Sequence, residues 1–278
     1  MVLPSLAFFS VFVMYPVAYS AYYSLTDFAG FGTARFVGLA NYRTLLHDPL
    51  FWTSLLNTLI ILVVSVAVII PAAFLLATLM RRPFRGAGIL RALIFAPGII
   101  APILTGLIWV FILDPKIGLV NRALAGSGVH SLPQWIGGDK LGPYSIAVVF
   151  IWSTLGFAMT IFYAGLQLLP TDILEASALD GATAGKQTWY VTIPMMRETF
   201  AITTVLVITN VFKIFELVYQ LTGGGPVHKS DVLVSYMYFI TFTSQQYGLG
   251  MAFAISITAL GAMISLGYLG LLLRRRAA

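Results

Sequence analysis

Few side chains in this sequence have the types and spacings that catalysis needs. Glu175 and Asp180 lie five residues apart, so on one helix they point to different faces and make a poor acid/base pair. His47, His130 and His228 are far apart in the sequence, and there is no cysteine. No metal-ligand set and no thiol nucleophile is therefore visible. We predict no catalytic residue, no metal site and no enzymatic activity for this chain.

One segment imitates a phosphate-binding loop. Gly181 and Gly185 are separated by three residues, whereas that loop has four between its glycines. Gln187 follows Lys186 at the position where serine or threonine must hold magnesium. The spacing therefore predicts that the chain binds no ATP itself and carries no cofactor.

The apolar content of the chain determines its class. Of its 278 residues 59% are apolar and 9% are charged, and the mean hydropathy is +0.92. Soluble domains are about 25% charged, so this much apolar surface cannot be hidden in a soluble core. Because a membrane-spanning helix needs about 20 apolar residues, the length allows six or seven spans with short loops. The bilayer is the expected environment, without a sizeable soluble domain.

Stretches without charged residues locate the spans, since a charge at the centre of a bilayer costs about 3 kcal/mol on insertion scales. The first span has no positive segment before it, so we expect a retained helix rather than a cleaved signal peptide. The fifth span can cross only if it extends through Lys213 and Glu216. We predict an all-α polytopic membrane protein with six transmembrane helices, at 3–24, 55–79, 90–113, 145–168, 199–220 and 250–273.

The formal charge of +6 comes largely from basic residues near helix ends. The tight clusters are Arg81 with Arg82 and Arg85, and the triplet 274–276. Positive residues next to spans mark the cytoplasmic side of a membrane protein, so both termini are predicted to be cytoplasmic. This distribution fits an orientation signal better than a nucleic-acid surface, and no nucleic-acid partner is expected.

The third predicted helix contains two helix-breaking elements. Pro97 is followed by Gly98, and Pro102 lies one turn further on. A proline leaves a carbonyl without its helical partner, so the helix should be kinked or locally unwound. Two interpretations remain open: the kinked helix lines a pathway, or it is only packed against protein.

The loop 169–198, between the fourth and fifth helices, has a helical pattern of its own. A helix is predicted after Pro170, with Thr171 or Asp172 as its cap and Gly181 at its end.

A second short helix, about 183–191, is predicted to stop before Pro194. Together the two helices predict a helix–turn–helix at the membrane surface. One interpretation of this pattern, the less favoured one, is an ordinary amphipathic interfacial helix.

Glu175-Ala176-Ser177, Gly181 and Val191-Thr192-Ile193-Pro194 follow the spacing Glu-Ala-Ala, three residues, Gly, nine residues and Ile-x-Leu-Pro. In this pattern the loop resembles the signature loop of importer-type ABC transporter permeases. Ser177 stands where that pattern has its second alanine. The resemblance implies that the loop is a coupling helix that docks into a groove of a cytoplasmic ATPase. Small side chains would permit close approach, and a carboxylate could pair with a basic partner residue. The implied ATPase-coupling residues are Glu175, Ala176, Ser177, Gly181, Ile193 and Pro194.

A second stretch, from Asn210 to Pro226, resembles the carbohydrate-importing permeases of the maltose, lactose and glycerol-3-phosphate group. Its last six residues, Leu-Thr-Gly-Gly-Gly-Pro, are similar to those of the first permease of the usual heterodimeric pair. Three glycines and a proline also predict a tight turn after a helix end. Together with six spans, the two matches imply that residues 1–278 form a single permease domain.

The resemblance implies half of the translocation pathway for a sugar or sugar derivative, in a bacterial or archaeal cytoplasmic membrane. The implied partners are a second homologous permease, a pair of ABC ATPases that hold ATP and magnesium, and an extracytoplasmic solute-binding protein. The alternative is an ion-coupled secondary transporter that acts without an ATPase. Such proteins usually bury coupling carboxylates near mid-membrane, and Glu216 is the only acid in a predicted span.

Polar and aromatic residues of the fourth and fifth helices lie at similar depth. At about 1.5 Å per residue, Asn210 lies roughly 17 Å above Thr199 and Phe157 roughly 20 Å above Pro170. Either Lys213 neutralises Glu216 three residues later, or it faces the substrate. The candidate substrate-pathway residues are Trp152, Thr154, Phe157, Asn210 and Lys213.

Overall fold

The computed structural model describes residues 2–81 and 85–274, except for the side chains of residues 2 and 271–274. The regular elements of the described ranges are all helices, joined by loops, and one isolated bridge links Thr26 and Phe36. In chain order the helices are α1 Leu3–Tyr23, α2 Ala40–His47, α3 Pro49–Met80, α4 Ala87–Phe95, α5 Pro102–Leu113, α6 Leu119–Gly126, α7 Gly142–Gln167, α8 Thr171–Leu179, α9 Ala184–Met195, α10 Arg197–Phe212, α11 Glu216–Leu221, α12 Leu233–Thr243 and α13 Tyr247–Arg274.

Several of these helices can cross a membrane. Among the described residues, α1, α3, α7 and α13 are each long and apolar enough to do so. Up to two further spans arise if a bent pair counts as one crossing. The first pair joins α4 to α5 with a bend of 100°, and the second joins α9 to α10 with a bend of 71°. The predicted all-α, multi-pass architecture is confirmed.

The helix α3 begins earlier than the prediction for the second span. Asp48 precedes it, and its carboxylate accepts a hydrogen bond from the Leu50 backbone N–H at 2.9 Å. Pro49 occupies the first helical position, where its missing N–H has no helical partner to lose. The predicted start at residue 55 marks the apolar part of the span, whereas the helix itself begins at its Asp48 cap.

The predicted interruption of the third helix is confirmed. The α-helical part α4 ends at Phe95, and Ala96–Ile99 form a 3-10 turn. Ile100 and Ala101 are extended before α5 begins at Pro102. Both prolines of this segment occupy early positions of a helical turn, where an N–H is not required.

The fifth helix is not continuous from 199 to 220, and that prediction is wrong. Helix α10 ends at Phe212, and α11 starts only at Glu216. Between them Phe215 has φ −135° and ψ −65°, which is outside the helical region. No proline or glycine marks the break, so local sequence favoured a continuous helix. Non-helical backbone at membrane depth is tolerated where it lines a cavity or is buried in protein.

The last apolar run contains two helices rather than one. Helix α13 agrees with the predicted 250–273 span, but α12 precedes it and was not predicted. The chain reverses between them, where Gln245 has a φ of +56°. The short helices α2 and α6 were also missed, because helices of eight residues carry little periodicity.

The interior of the protein is built around α3 and α7, which pack along each other. Their facing side chains include Ile61, Ile69, Ile146 and Phe162, all fully buried. Helix α1 behaves differently, since none of its apolar window is buried within the chain. Its last turns, from Tyr15 onward, pack against α13.

The charge clusters that predicted the orientation are only partly described. Arg82, Arg275 and Arg276 lie outside the described residues. The cytoplasmic placement of both termini therefore stays a prediction.

Candidate functional site: a cavity between two interrupted helices

A cavity of about 350 Å³ lies where the two interrupted helices meet α7. The break between α4 and α5 forms one wall, and the break between α10 and α11 forms another. Its lining residues are Phe95, Gly98, Ile100, Pro102, Thr105, Phe150, Ser153, Thr154, Phe157, Asn210, Lys213, Ile214, Glu216 and Leu217. Broken helices that border one cavity are typical of sites where unwound backbone and polar side chains meet a transported solute.

The structure brings four of the five predicted pathway residues together. Thr154 and Phe157 of α7 line this cavity, and so do Asn210 and Lys213 at the end of α10. Trp152 does not line it. Its ring packs edge to face against Trp109, with the ring centroids 5.6 Å apart. Contact with substrate stays a prediction for the first four residues, while the placement of Trp152 favours a packing role.

The polar groups on the α10 side are not neutralised by one another. Asn210, Lys213 and Glu216 follow at intervals of three, and all three are exposed towards the cavity. Within the described part of the chain, no ion pair joins Lys213 to Glu216. The Asn210 side chain likewise makes no hydrogen bond to a described residue of a neighbouring helix. An unwound turn separates the cation from the anion, so both remain available to a solute.

One cavity residue was missed by the sequence analysis. Thr105 of α5 is 1% exposed, and its Oγ1 has no hydrogen-bond partner among the described residues. A buried hydroxyl without a partner costs about 1–3 kcal/mol, so it is expected to have a use. The available signal was weak: Thr105 is the only hydroxyl in the apolar stretch of α5, one turn after Pro102.

Close backbone packing fixes the walls of the cavity. A Cβ atom at Gly156 would overlap the Ile94 carbonyl oxygen and lie 2.7 Å from Phe95 Cα. A Cβ at Gly106 would lie 2.9 Å from Gln220 Cβ. Only glycine therefore lets α7 approach the end of α4, and α5 approach α11, so closely. The end of α4 and the helix α5 are therefore packed closely against their neighbours.

The loop 169–198 contains the first predicted helix, α8, with a different cap. Pro170 occupies the cap position, and no side chain caps the helix. The expectation that Thr171 or Asp172 caps it is wrong, because both already lie inside the first turn. The predicted end is confirmed: Gly181 has a φ of +81° and closes the helix.

The end of α8 has the hydrogen bonds of a Schellman motif. The Gly181 N–H donates to Ala178 O and the Ala182 N–H donates to Ser177 O, both at 3.0 Å. The left-handed glycine is what allows the two bonds to form together.

The second predicted helix extends further than expected. Helix α9 runs through Pro194 to Met195 instead of stopping before the proline. Within α9, residues Thr188–Thr192 form a π-helical segment just before Pro194. A π-helical turn changes the pairing of the preceding carbonyls, and so accommodates a residue that lacks an N–H.

A pair of polar side chains joins α8 to α9. The Gln187 side-chain amide donates to Leu174 O at 2.6 Å and to Ser177 Oγ at 2.7 Å. Gln187 was noted in the sequence only as the wrong residue for a phosphate-binding loop. Ser177, the departure from the family pattern, supplies the oxygen that Gln187 needs.

The predicted coupling residues fall into two groups. Glu175, Ala176 and Gly181 are exposed on α8 and its end. Ser177 is half-buried against Gln187, and Ile193 with Pro194 are half-buried on α9. The exposed group is therefore available to a partner, while the other residues shape the loop.

The predicted glycine-rich turn after the fifth helix is held in place by contacts with the rest of the protein. It follows the end of α11 at Leu221, and Gly224 has a φ of +77°. A Cβ there would lie 2.5 Å from Asp231 Oδ1. The Asn57 side chain of α3 donates to Lys229 O and to Asp231 O, both at 2.8 Å. The turn is thus anchored to the central helix.

Comparison with protein families gives one match that covers most of the chain. Residues 69–278 match the family model described as "Binding-protein-dependent transport system inner membrane component".

Individual relatives align over nearly the full length. The chain is 30% identical to the "Probable ABC transporter permease protein YurN" of Bacillus subtilis, covering 95% of this chain and 91% of that protein. It is 29% identical to the "Trehalose/maltose transport system permease protein MalF" of Thermococcus litoralis, covering 97% and 91%. The fold is similar to a chain of a bacterial ABC transporter involved in the import of the acidic polysaccharide alginate. For that chain the TM-score is 0.84 at 21% identity, with 99% of this chain and 94% of that chain covered.

Proposed function

Because the chain belongs to the family of binding-protein-dependent transport system inner membrane components, we propose that it is the permease subunit of an ABC importer. It forms half of the pathway for a sugar or sugar derivative and couples passage to ATP hydrolysis by partner ATPases. The observation that carries this proposal is the cavity at the two helix breaks, which contains Thr154, Phe157, Asn210 and Lys213.

A sugar fits the chemistry of this cavity. The Asn210 amide and the Thr154 hydroxyl can donate to and accept from sugar hydroxyls, and Thr105 also lines the cavity although its own hydroxyl is buried. Phe157 and Phe95 offer apolar ring surface to the C–H faces of a sugar ring. The named cargoes of two similar proteins, trehalose or maltose and alginate, are both carbohydrates.

We infer six spans, with the 169–198 loop and both termini in the cytoplasm. In this arrangement α4 with α5 makes the third span, and α10 with α11 makes the fifth. Helix α9 belongs to the cytoplasmic loop, because it carries the exposed Lys186 and is hydrogen-bonded to α8 through Gln187.

Helix α8 is the proposed contact to the ATPase. Glu175 and Ala176 are exposed on it, and the Leu179 side chain is 89% exposed. An apolar side chain at the end of a helix, next to small residues and one carboxylate, suits insertion into a groove with a basic rim. ATP and magnesium would be held by the ATPase, and none of the residues of this chain is assigned to them.

Two further partners complete the proposal. A second, homologous permease would face this chain across the pathway, and an extracytoplasmic binding protein would deliver the sugar. The exposed apolar length of α1 is available to lipid and to the second permease.

The test is substrate-stimulated ATP hydrolysis by the assembled complex in proteoliposomes. The chain is co-expressed with its ATPase, second permease and binding protein, and a panel of maltose, trehalose, maltotriose and glycerol 3-phosphate is added. We expect at least one member to stimulate hydrolysis and to accumulate only with ATP inside. Accumulation driven by an ion gradient without ATP would establish the secondary-transporter alternative instead. Nucleotide bound to this chain alone would contradict the assignment of ATP to the partner.

A further inference from the structure

A second cavity, of about 370 Å³, lies next to the first between α4 and α7. Its lining residues are Arg91, Ala92, Phe95, Met159, Thr160 and Tyr163. Phe95 lines both cavities, so this side chain forms part of the boundary between them. Both volumes lie in the range of about 300–1,000 Å³ that is usual for small-molecule sites.

The two cavities follow one another along the length of α7. Thr154 and Phe157 line the first, while Thr160 and Tyr163 line the second. At 3.6 residues per turn, each interval of three residues falls about 60° short of a full turn, so these side chains wind around α7 as it passes from the first cavity to the second. From Thr154 to Thr160 the helix rises about 9 Å towards the end that carries the 169–198 loop.

We propose that the second cavity is a further sugar subsite, separated from the first by Phe95 and closer to the 169–198 loop. This inference rests on the proposed function. A sugar would leave the first cavity, pass Phe95 and be held briefly in the second before release.

Arg91 and its neighbours supply the chemistry for this subsite. The Arg91 guanidinium lies over the Tyr163 ring, 4.6 Å from the ring centroid, and its Nε donates to Ala87 O at 3.4 Å. Its terminal nitrogens have no acceptor and no acidic partner among the described residues, so their N–H groups are free for hydroxyls. The Thr160 hydroxyl donates to Gly156 O at 2.9 Å and keeps an acceptor position.

A lipid headgroup is the other class of ligand that an arginine beside an aromatic ring can bind near a membrane surface. The shared Phe95 wall favours the sugar, because it places this cavity directly beside one that is lined by Asn210 and Thr154.

The experiment uses single cysteines, since the natural chain has none. Thr160→Cys reports on the second cavity, Thr154→Cys on the first, and Val148→Cys, on an exposed part of α7 outside both, is the control. Each assembled complex is labelled with a water-soluble methanethiosulfonate, with and without the panel sugar that stimulates hydrolysis most. The complex with the unaltered chain gives the background from its partners.

Labelling of Thr160→Cys and Thr154→Cys should each be slowed about threefold when the sugar is at twice its half-saturating concentration. Labelling of Val148→Cys should not change. Adding Arg91→Gln should remove the protection at Thr160→Cys and leave that at Thr154→Cys. Arg91→Lys keeps the charge but not the planar donor fork, so it should weaken the protection at Thr160→Cys. This variant replaces Arg91→Gln in the experiment if the complex with Arg91→Gln does not assemble.

Protection at Thr154→Cys without protection at Thr160→Cys would overturn the second subsite and leave the proposed function intact. Protection at Thr160→Cys by phosphatidylglycerol vesicles, but not by sugar, would assign the cavity to lipid and also overturn it. Absence of protection at both cysteines, or a panel with no stimulating sugar, would remove the proposed cargo class together with this inference.

Discussion

The Gln187 side-chain amide donates a hydrogen bond to Ser177 Oγ at 2.7 Å, which ties α9 to α8 across the turn at Gly181. The same amide donates to Leu174 O, the carbonyl to which Ser177 Oγ also donates. Three polar groups thus form one closed cluster behind the exposed face of α8. This cluster holds α8, and with it the exposed Glu175 and Leu179, against α9.

Gln187→Leu should loosen the 169–198 loop while the membrane-spanning part stays folded. The change removes two hydrogen bonds, each with a net contribution of about 0.5–1.5 kcal/mol. We expect less ATPase to co-purify and transport to fall, with faster hydrogen exchange over residues 171–192. Thr188→Val is the matched control, because the Thr188 hydroxyl bonds only within its own helix, to Ala184 O. If the two substitutions had equal effects, the hydrogen bonds of Gln187 would have no specific role in ATPase docking.

Gly181→Ala should impair ATPase docking more than Gly185→Ala. Neither added Cβ would meet another atom within 4 Å, but only Gly181 has a left-handed φ, of +81°. An L-residue in this conformation costs about 1–2 kcal/mol, so the Schellman turn should distort. Co-purified ATPase and coupled uptake are the measurements. If both variants couple normally, the geometry of this turn does not control docking.

Asn210→Leu should lower sugar-stimulated ATP hydrolysis and transport while assembly and basal hydrolysis persist. The Asn210 amide faces the cavity and makes no side-chain hydrogen bond to a described residue, so leucine removes no helix–helix bond that the structure shows. Thr209→Val, at the neighbouring position outside the cavity lining, should leave transport unchanged. A fall in thermal stability with unchanged sugar preference would show that Asn210 holds the assembly together instead.

Thr105→Val tests the buried hydroxyl without a partner. The substitution keeps the shape and removes an unsatisfied polar group, so the unliganded protein should be as stable or more stable. If the hydroxyl binds sugar, the KM for transport should rise by roughly 2–10-fold, which corresponds to one hydrogen bond of about 0.5–1.5 kcal/mol. Thermal midpoint and KM are measured on one preparation. An unchanged KM would exclude Thr105 from the sugar contacts.

Gly156→Val should destabilise the fold, because its side chain would collide with the Ile94 carbonyl and the Phe95 backbone. Overpacking of this kind costs about 1–3 kcal/mol, and here it would push apart the two walls of the cavity. Gly267→Val is the control, since a Cβ at that helical position has open space around it. The thermal midpoint of the purified complex should fall for the first variant only. Comparable midpoints would mean that α4 and α7 can separate at little cost.

The sequence by itself determined the membrane class, most of the spans and the end of α8. Apolar runs of about 20 residues have few structures open to them in a bilayer, because their backbone groups must be satisfied internally. Pro97 and Pro102 gave the break in the third span for an equally local reason, the missing N–H. Gly181 predicted the turn at the end of α8, because glycine can take a positive φ without steric cost.

Only the tertiary structure decided which residues share a cavity. The break at 213–215 has no proline or glycine to announce it, and it depends on how α10 and α11 pack against α5 and α7 rather than on local propensity. The depth of Asn210 and Phe157 in the membrane could be counted along their helices. The direction in which each side chain points around its helix could not, and it is this direction that keeps Trp152 out of the cavity. Thr105 and Gln187 acquired their importance from neighbours distant in sequence or across a turn, and contacts of that kind are not encoded in any short pattern.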